Sequence, residues 1–429
     1  MVLGKVRRYQ LCFVRLSSVF DLFVHHHTSF SRPLLLACRR IPHKYTGHQS
    51  VHYYTATMPC RPGISSMSLG RCYAGHSLEH KLSMAAKYGL EGIELFYEDL
   101  VDHAGGSTSP SDLHAASASV HELCISLGLE IICLQPFMHY EGLLDRKRHD
   151  ERIEEMKLWM ELAHILGTDM IQVPSSFLPR DQISSDTNLI VSDLRELADL
   201  GLQQTPVIRF VYESLCWGTY VDKWEMCWDI VQRVDRSNFG ICLDSFNIMG
   251  RIYADPAHES GCTPNAEAEA RGSIQRLVDS IGPHKEKIFF IQVVDAERLE
   301  QPLLPGHPFY NADQPTRMSW SRNCRLFYGE SDRRAYLPVK GVIDAIITHI
   351  GYEGWVSMEL FNRVMERKDR GVVEELAARA ATSWGRLSHD MGLETELSKW
   401  QARSGNSQID WNKDSDIQYK VVEARQARL

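Results

Sequence analysis

The chain has 429 residues, with 47 Lys and Arg against 55 Asp and Glu, a net charge of −8, and 44% hydrophobic residues. This composition excludes a disordered or collagen-like chain and a small domain that needs disulfide staples. No run approaches the ~20 apolar residues of a membrane span, and the mild acidity gives no sign of nucleic-acid binding.

Residues 1–57 stand apart. They carry eight basic residues and one acid, a net of +7, which leaves −15 for residues 58–429. The stretch includes His25, His26 and His27 and has no sustained helix or strand period. An Arg-rich, acid-poor leader can be a mitochondrial transit peptide. The simpler reading is translation from Met58, with ordered sequence beginning just after it. The eleven cysteines form no C-x-x-C pair. That suits reduced thiols in a cytoplasmic protein better than a zinc site or a disulfide framework.

From residue 60 the chain alternates strand and helix. Short apolar runs predict strands at Ile64–Leu69, Gly92–Phe96, Glu130–Leu134, Met170–Pro174, Val207–Glu213, Phe239–Asp244, Ile288–Val293 and Trp355–Leu360. Most are nearly continuous in apolar residues, as in parallel strands covered on both faces. Helical spacing is predicted over His76–Tyr88, His121–Leu127, Asp150–Leu166, Asn188–Leu200, Val221–Val234, Ala266–Ile281, Val339–Ile350 and Gly371–Leu387. Gly89, Gly128, Gly167, Asn238 and Gly351 stand where helices should stop. Eight βα units imply a closed (β/α)8 TIM barrel over residues 58–389. A doubly wound sheet is the rival, but Gly70-Arg71-Cys72-Tyr73-Ala74-Gly75 lacks the G-x-G spacing of its phosphate turn. The stretch from Glu297 to Tyr336 is too long for a bare connection and reads as an active-site cover. Residues 390–429 are polar, with Trp400 and Trp411, and read as an extension. Trp224 and Trp228 read as packing a helix onto the sheet, with an oligomer contact as the alternative.

Catalytic groups of such barrels sit where strands end. The fifth strand ends at Glu213 and the sixth at Asp244. The seventh carries Gln292 and Asp295, and the eighth Glu359. A single acid at a strand end commonly caps a helix. Three carboxylates at one barrel mouth, however, would repel one another without a cation. An all-oxygen set favours Mg²⁺ or Mn²⁺ over zinc. Asp295 is out of phase with Gln292 and reads as a loop anchor. A substrate carboxylate would call for arginine; Arg325 is the first candidate and Arg71 the next. For a base, the residues leave Glu94, Glu98, His139 or a carboxylate of the metal shell open.

The segments Ser65-Ser66-Met67-Ser68-Leu69-Gly70-Arg71-Cys72-Tyr73-Ala74-Gly75-His76, Gly92–Leu100, Tyr212–Gly218, Cys242–Ile248, Phe290–Ala296 and Trp320–Phe327 resemble fungal 3-dehydroshikimate dehydratases. These belong to the xylose-isomerase-like barrel superfamily. The resemblance runs from about Gly63 to about His389. It implies metal-dependent dehydration of 3-dehydroshikimate to 3,4-dihydroxybenzoate, in quinate and shikimate breakdown. It implies Glu213, Asp244, Gln292 and Glu359 as metal ligands, with Glu213 and Glu359 catalytic. It also implies Ser321 and Arg325 as substrate contacts. Relatives tend to place His where Asn247 stands here. The alternatives are a sugar or hydroxy-acid isomerase on the same barrel, or an inactive binding barrel. A repair endonuclease would need more histidines and a basic face. The expected partner is a small molecule, with no nucleic acid and no membrane.

Overall fold

The computed structural model describes residues 60–393. The expectations for residues 1–57, and for Trp400 and Trp411, lie outside the described residues.

Eight parallel strands close into a barrel: β1 (Arg61–Ser65), β2 (Gly92–Phe96), β3 (Glu130–Gln135), β4 (Met170–Pro174), β5 (Arg209–Glu213), β6 (Phe239–Asp244), β7 (Ile288–Gln292) and β8 (Trp355–Met358). Their order round the barrel is β1-β8-β7-β6-β5-β4-β3-β2. The barrel and its enclosing helices are those expected from the alternation of runs. Within the barrel, Ile132, Cys133, Met170, Val211, Cys242 and Phe290 form an apolar layer of their own. Residues i and i+2 of a strand point to the same side. Two positions beyond Met170, Val211, Cys242 and Phe290 come Gln172, Glu213, Asp244 and Gln292. A polar layer therefore sits directly above the apolar one.

Several boundaries differ from the sequence reading. The first strand stops at Ser65, and Ser66–Leu69 form a 3-10 turn. The Ser66 hydroxyl donates to Asp99 Oδ2 at 2.7 Å and accepts from Phe96 N at 3.0 Å, while the Ser68 hydroxyl donates to Leu360 O. These side-chain bonds compete with continued strand pairing. Asn238 is not a helix stop. The helix Trp224–Val234 ends on Asp235, which takes the left-handed conformation at φ 50°. Asn238 instead donates to Ala198 O and Ile208 O, both at 2.8 Å. Gly89, Gly128, Gly167 and Gly351 do adopt positive φ. Trp224 and Trp228 are buried, as the packing reading has them.

Several helices escaped the sequence reading in whole or part, Tyr97–His103 among them. Pro110–Leu127 is a full helix, with Ser109 accepting from Asp112 N and Pro110 in its first turn. Ser245–Ile252 starts directly on strand β6. The long segment after β7 is structured. It holds the helix Thr316–Cys324, then Arg325–Leu326 pair antiparallel with Asp295–Ala296. Arg325 N donates to Phe361 O and Asn362 Nδ2 donates to Arg325 O. Asp295 Oδ1 accepts from the backbone N–H of Ala296, Tyr336 and Leu337, the loop-anchoring role expected of it. Among the described residues, no helix is long and apolar enough to cross a membrane.

Candidate active site

The carboxylates of Glu213, Asp244 and Glu359 converge, each offering an oxygen within 4.8 Å of the others. All three residues are buried. Asp244 reconciles the two readings of a strand-end acid. Its Oδ1 accepts from Phe246 N at 2.7 Å and Asn247 N at 3.3 Å and so caps the next helix. Its Oδ2 turns to Arg325 Nη1 at 2.8 Å. Gln292 is the register partner of Asp244 on one neighbouring strand and of Ser357 on the other.

Arg325 is 1% exposed. Its Nη1 also donates to Glu359 Oε2 at 3.1 Å, and its Nε to Ser321 Oγ at 3.0 Å. The guanidinium lies 4.3 Å from the Phe246 ring centroid and 5.1 Å from that of Phe361. Burial works against its charge, but Asp244 and Glu359 outweigh that and hold it above its ordinary value. The long segment thus delivers a cation into the acidic cluster. Arg71 is one ring away: it lies 5.8 Å from the Phe361 centroid, donates to Met67 Sδ, and stands 3.8 Å from Glu98.

The acids still outnumber this cation. Glu94 lies beside the cluster, fully buried, which makes four acids against Arg325. Burial, and then the Glu359 charge, push Glu94 well above the carboxylate range. The same two causes raise Glu213. Burial raises Glu359 to about 7, against the opposing pull of Arg325. An excess of negative charge in a dry site is relieved by protons or by a further cation. Gln292 Oε1 is buried with no hydrogen-bond partner. Three carboxylates and an unpartnered amide oxygen form a donor set that fits a hard divalent ion.

Asn247 occupies the place where a titratable ring was expected from relatives. Its Nδ2 donates to Glu213 Oε1 at 2.7 Å and Asp244 Oδ2 at 2.9 Å, and its Oδ1 accepts from Cys216 N at 3.0 Å. It spaces two carboxylates and has no basic nitrogen to offer. Glu94 is 0% exposed and engaged by three donors, Gln135, Gln292 and Ser357. Glu98 faces Arg71 and Cys72. His139 has its Nδ1 3.3 Å from Ser176 Oγ and its ring against Phe177. Burial, followed by the Arg152 and Arg148 charges, lowers it to about 4, so it is neutral near pH 7.

Glutamines complete the polar layer, and the sequence reading missed their part in it. Gln172 Nε2 donates to Glu213 Oε2. Gln135 Nε2 donates to Glu94 Oε2 at 2.8 Å and Glu359 Oε1 at 3.1 Å. Their signal was available: a glutamine inside an apolar strand run requires a buried partner.

Another buried acid, Glu141, does not belong to the three-carboxylate group. Glu141 Oε1 accepts from Ser176 N at 2.6 Å and Tyr212 Oη at 3.1 Å, and burial raises the group to about 7. A carboxyl raised in the fold stabilises it at low pH and loses that contribution as pH rises through about 7. Glu141→Gln, which stays neutral, is therefore expected to gain in Tm relative to the unsubstituted protein between pH 4.5 and 8. Paired thermal melts across that range measure the gap; a constant gap would refute the assignment.

The fold and the cluster define a parallel barrel with an acidic, cation-competent mouth. The family model of the xylose isomerase-like TIM barrel matches residues 82–384, and the chain belongs to that family. It is 59% identical over 348 residues to a protein of Neurospora crassa named 3-dehydroshikimate dehydratase, covering 79% of this chain and 96% of that one. It is 33% identical over 286 residues to a Pseudomonas aeruginosa protein of the same name, covering 67% of this chain and 36% of that longer one. Among solved structures, a xylose isomerase-like TIM barrel/4-hydroxyphenylpyruvate dioxygenase fusion protein superposes with a TM-score of 0.59 at 26% identity. That match covers 83% of this chain and 45% of the fusion. The zinc-bound IolI protein superposes at 0.56 and 19% identity, over 76% of this chain and 97% of that one, a likeness of fold.

Proposed function

We propose that the chain dehydrates 3-dehydroshikimate to 3,4-dihydroxybenzoate and water, with Mg²⁺ or Mn²⁺ held by Glu213, Asp244, Gln292 and Glu359. The 59% identity to the Neurospora protein, over nearly its whole length, carries this reading. The residues support it independently. A bound divalent ion would supply Lewis-acid stabilisation of negative charge developing on the ketone oxygen. Asn247 has no basic nitrogen, so proton transfer falls to the carboxylates of Glu213 and Glu359. Glu359 Oε1 accepts from Gln135 at 3.1 Å, a long bond that leaves this oxygen placed to take the proton beside the ketone. Loss of the β-hydroxyl as water and tautomerisation then give the aromatic diol. Arg325, with Ser321 fixing its Nε, has no acceptor for its Nη2 donors among the described residues, which suits them to a substrate oxygen. Arg71, beside Phe361, is the second candidate for the substrate carboxylate.

The polar layer of the barrel holds no Lys or His. This favours dehydration over enediol isomerisation. The nine cysteines among the described residues are free thiols, which supports a cytoplasmic setting.

The test is a continuous ultraviolet assay of the full chain, stripped of metal, with 3-dehydroshikimate. We expect protocatechuate absorbance to grow only when Mg²⁺ or Mn²⁺ is added. Folded protein that makes no product with any divalent ion would overturn the reading.

A further inference from the structure

A glutamine amide can turn either end toward a cation. Its oxygen attracts the ion and its NH2 group repels it, and the two ends have nearly the same shape. Something must therefore fix which end of Gln292 faces the carboxylate cluster. Gln292 Nε2 donates to Glu94 Oε2 at 2.7 Å. Its Oε1 is left buried and without a partner. Glu94 Oε2, which receives amide N–H groups from both Gln292 and Gln135, acts as the acceptor, so it holds the NH2 end of Gln292 and commits the amide oxygen to the other side.

Glu94 does this twice. Its Oε2 also accepts from Gln135 Nε2 at 2.8 Å, and the same Gln135 nitrogen reaches Glu359 Oε1 at 3.1 Å. Its Oε1 accepts from the Ser357 hydroxyl, two residues before Glu359 on the eighth strand. Glu94 is 0% exposed and stands outside the three-carboxylate group. Burying an acid there is costly unless the arrangement needs it.

We infer that Glu94 is a positioning residue, which orients the Gln292 amide directly and Glu359 through Gln135 so that their oxygens face a divalent ion. This rests on reading the cluster as a divalent-cation site. Partners of this kind, one step behind the ligands, commonly contribute 10- to 100-fold to metal affinity.

The role depends on an acceptor at the Oε2 position, not on negative charge. Glu94→Gln can keep that acceptor, placing its amide oxygen against Gln135 and Gln292 while its NH2 group donates to the Ser357 hydroxyl. Glu94→Met removes the acceptor. Glu94→Asp withdraws it by one methylene and guards against a methionine variant that does not fold.

The test titrates Mn²⁺ alone into metal-free protein, by calorimetry and by the electron paramagnetic resonance of bound Mn²⁺. Circular dichroism is recorded on each variant. We expect Met and Asp to weaken Mn²⁺ binding by about 10-fold or more and to change the spectrum of any bound ion, and Gln to bind within a few-fold of the unsubstituted protein. Folded Met or Asp variants that bind Mn²⁺ normally would overturn the inference. So would a Gln variant as weak as the others, since charge rather than orientation would then be what matters. If the unsubstituted protein bound no Mn²⁺, the cation-site reading would fall, and this inference with it.

Discussion

Glu359→Ala is expected to lower the dehydration rate by about 10³-fold or more and to abolish Mn²⁺ binding at concentrations that saturate the unsubstituted protein. Two functions meet on this side chain. One oxygen accepts from Gln135 and the other from Arg325, and the carboxylate offers one oxygen to the group formed with Glu213 and Asp244. Alanine removes a proposed ligand and the proposed proton acceptor together. The fold should survive, because truncation relieves repulsion among buried carboxylates that Arg325 only partly offsets. The measurements are the ultraviolet assay at saturating Mn²⁺ and a Mn²⁺ titration. Activity within ten-fold of the starting protein would remove Glu359 from the chemistry.

Arg325→Met should act on stability as well as activity. The guanidinium is the cation paired with both Asp244 and Glu359, at 2.8 and 3.1 Å. Removing one partner of a buried ion pair leaves uncompensated charge and typically costs about 3–5 kcal/mol. Metal-free Arg325→Met should therefore melt well below the metal-free parent. Mn²⁺ replaces part of the missing positive charge, so it should raise the Tm of the variant more than that of the parent. Activity should stay low even with Mn²⁺, because the Nη donors proposed for the substrate are gone. Differential scanning calorimetry with and without Mn²⁺ decides it. Equal Mn²⁺ shifts in the two proteins would show that Arg325 does not share in balancing the cluster.

The barrel was legible because its signals are local. Apolar runs of strand length, spaced by amphipathic stretches, recur eight times, and glycines with positive φ close several of the helices. Boundaries failed where side chains bonded across the barrel. Ser66 and Ser68 read as strand residues, yet their hydroxyls satisfy Asp99 and Leu360, and the strand ends before them. Asn238 read as a helix stop, but Asp235 takes the left-handed turn, and Asn238 is drawn off to two carbonyls of neighbouring segments. In the candidate site, strand ends pointed to Glu213, Asp244, Gln292 and Glu359, since a polar side chain after an apolar run is conspicuous. Glu94, by contrast, looked like one of several bases.

By itself, the sequence pointed to the class of fold, the four strand-end residues and Arg325 as candidates, because period and polarity are properties of neighbouring positions. Only the tertiary structure decided how those residues divide the work. It placed Arg325 inside the acidic cluster rather than at its rim. It set Asn247 between two carboxylates, and it put Glu94 behind Gln292 with Gln135 as its bridge to Glu359. Each of these depends on contacts between residues from 34 to 224 positions apart. Closure of the barrel creates such contacts, and no local pattern along the chain encodes them.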